Sequence, residues 1–141
     1  MRFYLDSMVW IYAFEGNPTF GAAAQSFLKK LRGAGHTTLV SHFLLAELLV
    51  LPIRDGDQFL IAAYKRAMLA SASVEVVPFT AAAAATFATL RALQRTQPLD
   101  SIHLALAATA KSDVFVTVDD RLHRLAVKGI GRIADLTYNT P

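Results

Sequence analysis

The fold of this chain is decided by the stretch RFYLDS at residues 2–7, where a run of strand-forming residues ends at an acid. Its first four residues favour a buried β-strand, whereas Asp6 and Ser7 favour the end of that strand. Comparable short runs stand at residues 37–40, 74–77, 114–117 and 131–134. Segments with helical patterns lie between them, and strands joined through helices pair in parallel by right-handed crossovers. We therefore predict one domain over residues 1–141 with a three-layer α/β/α fold and a central, mainly parallel sheet of four to five strands.

Helices are predicted where apolar residues recur at intervals of three and four positions. Their approximate ranges are residues 18–32, 42–51, 58–70, 81–93, 100–111 and 121–128. Pro52 is expected to end the second helix, because proline removes a backbone donor and crowds the preceding turn. Asp100 is expected to begin the fifth helix, and Asp119 or Asp120 the sixth, since Asp side chains often cap helix N-termini.

The composition excludes several classes of protein. With 54% hydrophobic and only 18% charged residues in 141, the chain is neither disordered nor a nucleic-acid-binding tail. It has no cysteine, which excludes disulfides, thiolate nucleophiles and cysteine zinc sites. Asp6 interrupts the N-terminus before a signal-peptide core can form, and no apolar run reaches the ~20 residues that span a bilayer. We expect a soluble, cytoplasmic protein, and its net charge of +3 permits an anionic partner.

Four of the eleven acidic residues stand where a solvated surface charge is not expected. Asp6 and Asp119 follow predicted strands and therefore lie at the carboxyl edge of the sheet, where ligands bind in such folds. Asp100 starts a predicted helix, and Glu47 stands in the middle of LLAELLVL, residues 44–51. Because burying an unpaired carboxylate costs several kcal/mol, each of these groups needs a cation, hydrogen-bond donors or a proton.

Each acid has a structural explanation when it is taken alone. Asp6 can end its strand, Asp100 can cap its helix, and Glu47 can pair with an arginine. Taken together, the four acids are not explained by these roles, because two like charges ~4 Å apart repel by roughly 4 kcal/mol at an effective dielectric of about 20. Such a cluster needs shared protons or a bound cation, and oxygen ligands without cysteine favour Mg²⁺ or Mn²⁺ over zinc. A cation of this kind suits phosphodiester hydrolysis.

Four stretches together carry a resemblance to a known family. They are FYLDSMVWIYA at residues 3–13, SHFLLAEL at 41–48, LDSIHLA at 99–105 and VTVDDRL at 116–122. In order and spacing they resemble PIN domains, and most of all the VapC-type ribonuclease toxins of type II toxin–antitoxin pairs. The resemblance covers nearly the whole chain. It implies an endoribonuclease that uses Mg²⁺ or Mn²⁺ to cleave single-stranded RNA and so inhibits translation and growth, a homodimer, and inhibition by a small VapB-like antitoxin.

The same resemblance implies roles for individual residues. An acidic quartet is expected to be catalytic and to hold the metal, directly or through water: Asp6, Glu47, Asp100 and Asp119. Ser7 matches a hydroxyl residue that supports the first acid, and Thr117 matches a second supporting hydroxyl. Asp119 fits the family's Thr-x-Asp pattern, whereas Asp120 fills a variable position from which it substitutes for or assists Asp119. Met8 stands where the family commonly has Asn, which weakens any expectation of polar contacts at that position.

Basic residues and one histidine near these motifs have two interpretations each. Arg121, Arg124 and Lys128 are predicted to share a helix beside Asp119, where Arg121 and Arg124 are candidates for substrate binding and a solvated basic face is the alternative. His103 follows Asp100 by one helical turn and faces the same way. It can contact substrate or pack in the core, and packing is favoured.

Three other functions remain open from the sequence. A PIN-type nuclease that processes RNA without being a toxin would share every motif. A catalytically inactive PIN-like interaction module would keep the fold and use its apolar helices for partners, although the intact set of acids argues against it. A receiver-like phosphoacceptor also gathers acids at strand ends, but it requires a lysine after the last strand, where this chain has Ala134-Asp135-Leu136.

Overall fold

Five short strands form one sheet in which every neighbouring pair is parallel. The strands are β1 (Arg2–Leu5), β2 (Thr37–Val40), β3 (Val74–Val76), β4 (Val114–Val116) and β5 (Arg132–Ala134). Their order across the sheet is β3-β2-β1-β4-β5, so the first strand lies at the centre. The structure, a computed structural model, describes residues 1–140. It confirms the predicted α/β class and the parallel sheet.

Within residues 1–140, six α-helices connect these strands. They are α1 (Ser7–Glu15), α2 (Gly21–Gly33), α3 (His42–Asp55), α4 (Gln58–Leu69), α5 (Ala81–Leu93) and α6 (Pro98–Thr109), followed by a single 3₁₀ turn (Leu122–Arg124). Side chains cap several of the N-termini as the sequence suggests: Ser41 caps α3, Asp57 caps α4 and Thr80 caps α5. No helix within residues 1–140 is long and apolar enough to cross a membrane.

The two faces of the sheet are covered by different helices, because successive strand residues point to opposite sides. Phe3 and Leu5 point into a core formed with α1, α2, α3 and α4. Tyr4 points the other way, into a core that contains Leu90 of α5 and Leu104 of α6. The sheet is therefore buried on both sides, which is the arrangement expected of parallel strands.

Helix α1 is absent from the sequence prediction, and α3 is longer than predicted. Residues 8–14 are apolar or aromatic on all sides, so α1 lacks the periodic polar face by which helices are recognised. Pro52 does not end α3, which continues through it to Asp55 and stops at Gly56 in the left-handed region. The buried Pro52 lies near the C-terminal end of the helix, where α3 packs on α4, and this packing outweighs the lost hydrogen bond.

The prediction of a sixth helix over residues 121–128 is wrong. Beyond Asp119 the chain makes one 3₁₀ turn and then becomes extended at Leu125. The apolar residues Leu122 and Val127 are buried in the second core although five positions separate them, a spacing that an α-helix would place on different faces. Arg121, Arg124 and Lys128 therefore do not share a helix face.

Helix α6 begins earlier than predicted. Gln97 is its N-cap and Pro98 is its first residue, so Asp100 lies inside the first turn instead of capping the helix. Proline suits the first helical position because its missing N–H would have no partner there. As a consequence the Asp100 carboxyl is not used for capping and is available to the acids at the edge of the sheet.

Candidate active site

Asp6 lies where the central strand β1 ends and α1 begins. It is 6% exposed, and its side chain is the N-cap of α1, accepting a hydrogen bond of 2.7 Å from the Ser7 backbone N–H. Its other oxygen, Oδ2, accepts a 2.8 Å hydrogen bond from Thr117 Oγ1. Burial raises the pKa of the Asp6 carboxyl, and the hydrogen bond from Thr117 offsets only part of that effect. Asp6 is therefore held in place by two neutral donors, the Ser7 N–H and the Thr117 hydroxyl.

Glu47 approaches Asp6 from the middle of α3. The Ser7 hydroxyl lies 3.2 Å from Glu47 Oε1 and 3.4 Å from Asp6 Oδ1, so its single hydrogen is shared between the two carboxylates. Glu47 Oε2 lies 2.7 Å from Nε2 of His103 on α6. Burial by itself would raise the pKa of Glu47, but the hydrogen bond and the charge of His103 outweigh it and leave that pKa lowered. The partners of Glu47 are thus a histidine and a serine, and not the arginine of the structural alternative.

His103, for which the sequence favours core packing over substrate contact, is a buried polar member of this site. It is 2% exposed, as packing requires, but both ring nitrogens are engaged: Nε2 with Glu47, and Nδ1 with the Tyr4 hydroxyl at 2.9 Å. The Tyr4 hydroxyl lies 3.2 Å from Ser41 Oγ, the residue that caps α3. The spacing of three positions between Asp100 and His103 already indicated that both lie on one helix face, but it gave no sign of the pairing with Glu47.

Asp119 joins the site through Thr117, which follows β4. Thr117 Oγ1 donates to Asp6 and accepts a 3.1 Å hydrogen bond from the Asp119 backbone N–H. The Asp119 carboxylate itself binds Arg121, whose Nε lies 3.0 Å from both oxygens. This contact with Arg121 lowers the pKa of Asp119. In this arrangement Asp119 is turned toward a guanidinium as well as toward the other acids.

Asp100 is coupled to the remaining acids by charge. Its carboxyl is half-buried, and burial together with the negative charges of Asp6 and Asp119 raises its pKa, while Arg121 opposes the rise. The structure thus brings all four predicted acids to one edge of the sheet. Hydrogen bonds connect Asp6 to Glu47 through Ser7 and to Asp119 through Thr117. Asp100 is close enough to Asp6 and Asp119 for their negative charges to raise its pKa.

The donor chemistry of this edge fits a hard divalent cation. Carboxylate oxygens without sulfur ligands are what Mg²⁺ and Mn²⁺ prefer. Burial raises the pKa of Asp6 and of Asp100, and the charges of Asp6 and Asp119 raise that of Asp100 further. In the part of the chain that the structure describes, residues 1–140, no group of three or more His, Cys, Asp or Glu is already arranged around a metal position. The Asp119 carboxylate is bound by Arg121 in this arrangement.

Two of the predicted supporting or substrate-binding residues lie outside this arrangement. The Asp120 carboxylate is fully exposed, and His123 Nδ1 lies 3.5 Å from its Oδ1. Arg124 is exposed within the 3₁₀ turn, where no contact of its guanidinium with an acid is found among residues 1–140. Arg121, by contrast, is in direct contact with the site.

Comparison with protein families gives one result. The family model described as PIN domain matches residues 3–128, which is most of the chain and includes all four acids. A comparison with curated protein sequences finds no match.

Solved structures with the same fold come from toxin–antitoxin complexes and toxins. A chain in the structure of VapBC2 from Rickettsia felis, bound to a DNA fragment from its promoter, has a TM-score of 0.73 at 18% identity, covering 96% of this chain and 98% of that one. VapC20 from Mycobacterium tuberculosis, described as a sarcin-ricin loop cleaving toxin, has a TM-score of 0.66 at 16% identity, covering 84% and 90%. The DNA-bound VapBC of Salmonella typhimurium has a TM-score of 0.62 at 20% identity, covering 96% and 98%. At these identities the likeness establishes the fold.

Proposed function

This chain belongs to the PIN domain family, and from that premise we propose that it is a divalent-metal-dependent endoribonuclease that cleaves single-stranded RNA, the toxin of a VapBC-type pair. One observation supports the proposal: four acids lie at the carboxyl edge of the sheet, where Ser7 links Asp6 to Glu47 and Thr117 links Asp6 to Asp119, and the pKa values of Asp6 and Asp100 are raised. A protein that used these acids only for folding would pair them with cations or turn them to solvent. Glu47 and Asp119 have such partners in His103 and Arg121, whereas burying the charges of Asp6 and Asp100 has a cost in stability that a bound cation would offset.

The metal is assigned to Asp6, Asp100 and Asp119, which would hold it directly or through water. When bound, Mg²⁺ or Mn²⁺ supplies an activated water and offsets charge on the scissile phosphate. Ser7 and Thr117 hold the Asp6 carboxylate by hydrogen bonds to its two oxygens, so Asp6 keeps its orientation. Asp120 is assigned at most an outlying role, because its carboxylate points into solvent.

Glu47 completes the group or orients the attacking water. Its lowered pKa keeps it ionised at neutral pH, so it can accept a proton or a hydrogen bond from water. The Ser7 hydroxyl and His103 fix its two oxygens. A carboxylate fixed in this way costs little reorganisation when it acts, which is the usual benefit of a preorganised polar site.

The VapB-like antitoxin and a second copy of the chain are the proposed protein partners. VapBC complexes from Rickettsia felis and Salmonella typhimurium share this fold, which supports an antitoxin partner. Several large apolar side chains of α3 and α4 are exposed, and a partner helix would cover them: Val50, Ile53 and Phe59. RNA is proposed as the substrate because VapC20, which shares the fold, is described as cleaving the sarcin-ricin loop.

A nuclease assay tests the catalytic assignment. The protein is incubated with single-stranded RNA in Mg²⁺ or Mn²⁺, with chelator as a blank, and Asp6→Asn is compared with Asp55→Asn. Asp55 is exposed and paired with Arg54, so its variant loses the same charge far from the acids. We expect Asp6→Asn to reduce cleavage at least ~100-fold and Asp55→Asn to leave it unchanged. Equal cleavage by wild type and Asp6→Asn would exclude this site.

Two further measurements separate the proposal from its alternatives. Folded wild-type protein that cleaves no RNA in either metal would indicate an inactive interaction module. Cleavage without growth arrest on induction, and without rescue by a small protein encoded next to it, would indicate an RNA-processing nuclease that is not a toxin. Growth arrest that requires Asp6 and is relieved by such a protein supports the toxin.

A further inference from the structure

A small cavity lies directly beside the acids, on the side where α5 is joined to α6. Its volume is about 140 Å³. Three charged side chains line it: Arg95, Asp100 and Arg121. Asp100 belongs to the acid cluster as well, so whatever occupies this cavity is the immediate neighbour of a group bound at the acids. We call it the α5–α6 cavity.

Arg95 occupies a backbone conformation that an arginine rarely adopts. It follows Gln94, the C-cap of α5, and has φ of +53°, where glycine is the usual residue because it has no Cβ. The chain thus places a long cation at a position where glycine would be the more stable choice. Non-glycine residues in this region often mark functional sites.

The loop that carries Arg95 is held firmly by polar contacts. The Arg91 guanidinium donates to the Thr96 carbonyl, and the buried Thr96 hydroxyl is hydrogen-bonded to the Ser101 hydroxyl. Ser101 Oγ in turn donates to the Gln97 carbonyl at 2.7 Å. Arg95 therefore extends from a fixed backbone, which lowers the entropy lost when its side chain binds a ligand.

Together these features identify a ligand class. We propose that the α5–α6 cavity binds a backbone phosphate of the RNA strand, next to the phosphate that is cleaved, with Arg95 and Arg121 as its cations. Guanidinium groups bind phosphate through paired N–H donors, and two of them line a cavity of suitable size. This inference rests on the proposed ribonuclease function and adds Arg95 as a substrate-binding residue.

Lys111 supplies a matched control. It follows Ala110, the C-cap of α6, and has the same φ of +53°. It lines a different cavity with Arg2 and Glu75, at the edge where the strands begin, opposite the acids. Arg95→Gly and Lys111→Gly therefore remove one positive charge each and relieve the same backbone conformation, but only Arg95 borders the acid cluster.

The test measures RNA binding and stability together. Arg95→Gly and Lys111→Gly are made in the Asp6→Asn background, and binding of a fluorescent single-stranded RNA is measured over a range of salt concentrations in Mg²⁺. We expect both variants to melt at the same or a higher temperature than the parent. Arg95→Gly should weaken binding about five- to tenfold and lower the slope of log K against log salt by about 0.7, the value for one lost phosphate contact. Lys111→Gly should change neither, and Arg95→Lys should retain most of the slope.

The second experiment measures the kinetics of RNA cleavage by the same variants with Asp6 intact. Arg95→Gly should raise KM more than it lowers kcat, because the residue binds a phosphate that does not react. Equal binding, slope and KM for Arg95→Gly and Lys111→Gly, with wild type cleaving RNA, would overturn the cavity assignment and leave the ribonuclease intact. Wild type that neither binds nor cleaves RNA would overturn both.

Discussion

His103 Nε2 lies 2.7 Å from Glu47 Oε2, and this contact joins α6 to α3 across the carboxyl edge of the sheet. The other ring nitrogen of His103 lies 2.9 Å from the hydroxyl of Tyr4 on the central strand. Since Glu47 also accepts from Ser7, which contacts Asp6, the four elements that form the site are linked by one continuous series of hydrogen bonds. The position of Glu47 therefore depends on a buried residue that need not touch substrate.

Replacing His103 tests that dependence. His103→Phe removes the donor to Glu47 and leaves the buried Tyr4 hydroxyl without its histidine partner, so we expect a loss of about 1–3 kcal/mol in the free energy of unfolding. The pKa of Glu47 should rise, because burial is then no longer outweighed by His103. ¹³C NMR titration of the Glu47 carboxyl in metal-free protein measures this directly.

Tyr4→Phe is the control for that experiment. It keeps the ring in the core and removes only the hydroxyl that contacts His103 and Ser41. We expect a similar loss of stability with a much smaller change in the Glu47 pKa, since Nε2 of His103 can still reach the carboxylate. An unchanged Glu47 pKa in His103→Phe would mean that Ser7 alone maintains it.

The raised pKa of Asp6 predicts a pH-dependent stability effect. The folded protein binds the Asp6 proton more tightly than the unfolded chain, so stability contributed by this group is present below the ordinary pKa of 3.8 and is lost as the pH rises through the folded value. Asp6→Asn should therefore raise the melting temperature at pH 7, where each kcal/mol corresponds to roughly 3–5 °C for a chain of this size. Asn keeps an acceptor for the Ser7 N–H.

The comparison is made by thermal melting of metal-free protein at several pH values. The advantage of Asp6→Asn over wild type should shrink toward zero as the pH approaches 3. Asp55→Asn should show no advantage at pH 7, because Asp55 is paired with Arg54 and its pKa is lowered. A lower melting temperature for Asp6→Asn at pH 7 would mean that its hydrogen bonds outweigh the unfavourable burial of its charge.

The fold could be predicted from the sequence wherever one face of an element differs from the other or a cap marks its start. Strands β1, β2 and β4 stand out as short apolar runs, and Thr80 and Asp57 mark helix starts. Helix α1 has no such contrast, and its cap, Asp6, also ends a strand. The segment after Asp119 has helical spacing in its charges, but burial of Leu122 and Val127 decides its path.

The site could be predicted as a set of acids at one edge, because parallel topology places the ends of β1 and β4 side by side. Which side chains pair there could not be predicted. The partners of Glu47 and Asp119 are His103 and Arg121, and each pair depends on how separate segments pack or turn. Arg95 gives no signal in the sequence, since its relevance comes from a backbone angle and a cavity.

Binding of the metal should be detectable without any substrate. A ligand that binds only the folded state stabilises it by RT ln(1 + [L]/Kd), or about 2.7 kcal/mol at 100 times Kd. Mn²⁺ should raise the melting temperature of wild type and of Asp55→Asn by the same amount. For Asp100→Asn the increase should largely disappear, because Asp100 is one of the acids assigned to the metal. An equal increase in all three proteins would place the bound metal elsewhere.

The ion pair between Arg121 and Asp119 should oppose binding of a metal at Asp119. Arg121 Nη2 lies 2.5 Å from Asp119 Oδ2, and the guanidinium side chain is 72% exposed. A cation that binds Asp119 competes with Arg121 for its carboxylate, and an ion pair this exposed is weak. Arg121→Ala should therefore increase the affinity for Mn²⁺ about 1.5- to 5-fold, as measured by isothermal titration calorimetry.

Arg124→Ala is the matched control. Arg124 carries the same charge in the adjacent 3₁₀ turn, but the Asp119 carboxylate is paired with Arg121. Its metal affinity should equal that of wild type. Because Arg121 is also assigned to the phosphate cavity, Arg121→Ala should bind RNA more weakly while it binds Mn²⁺ more tightly. Opposite changes in the two affinities are not expected from a general loss of folding, which would weaken both. If Arg121→Ala and Arg124→Ala raise the Mn²⁺ affinity equally, net charge is the cause, and the ion pair with Asp119 does not oppose the metal.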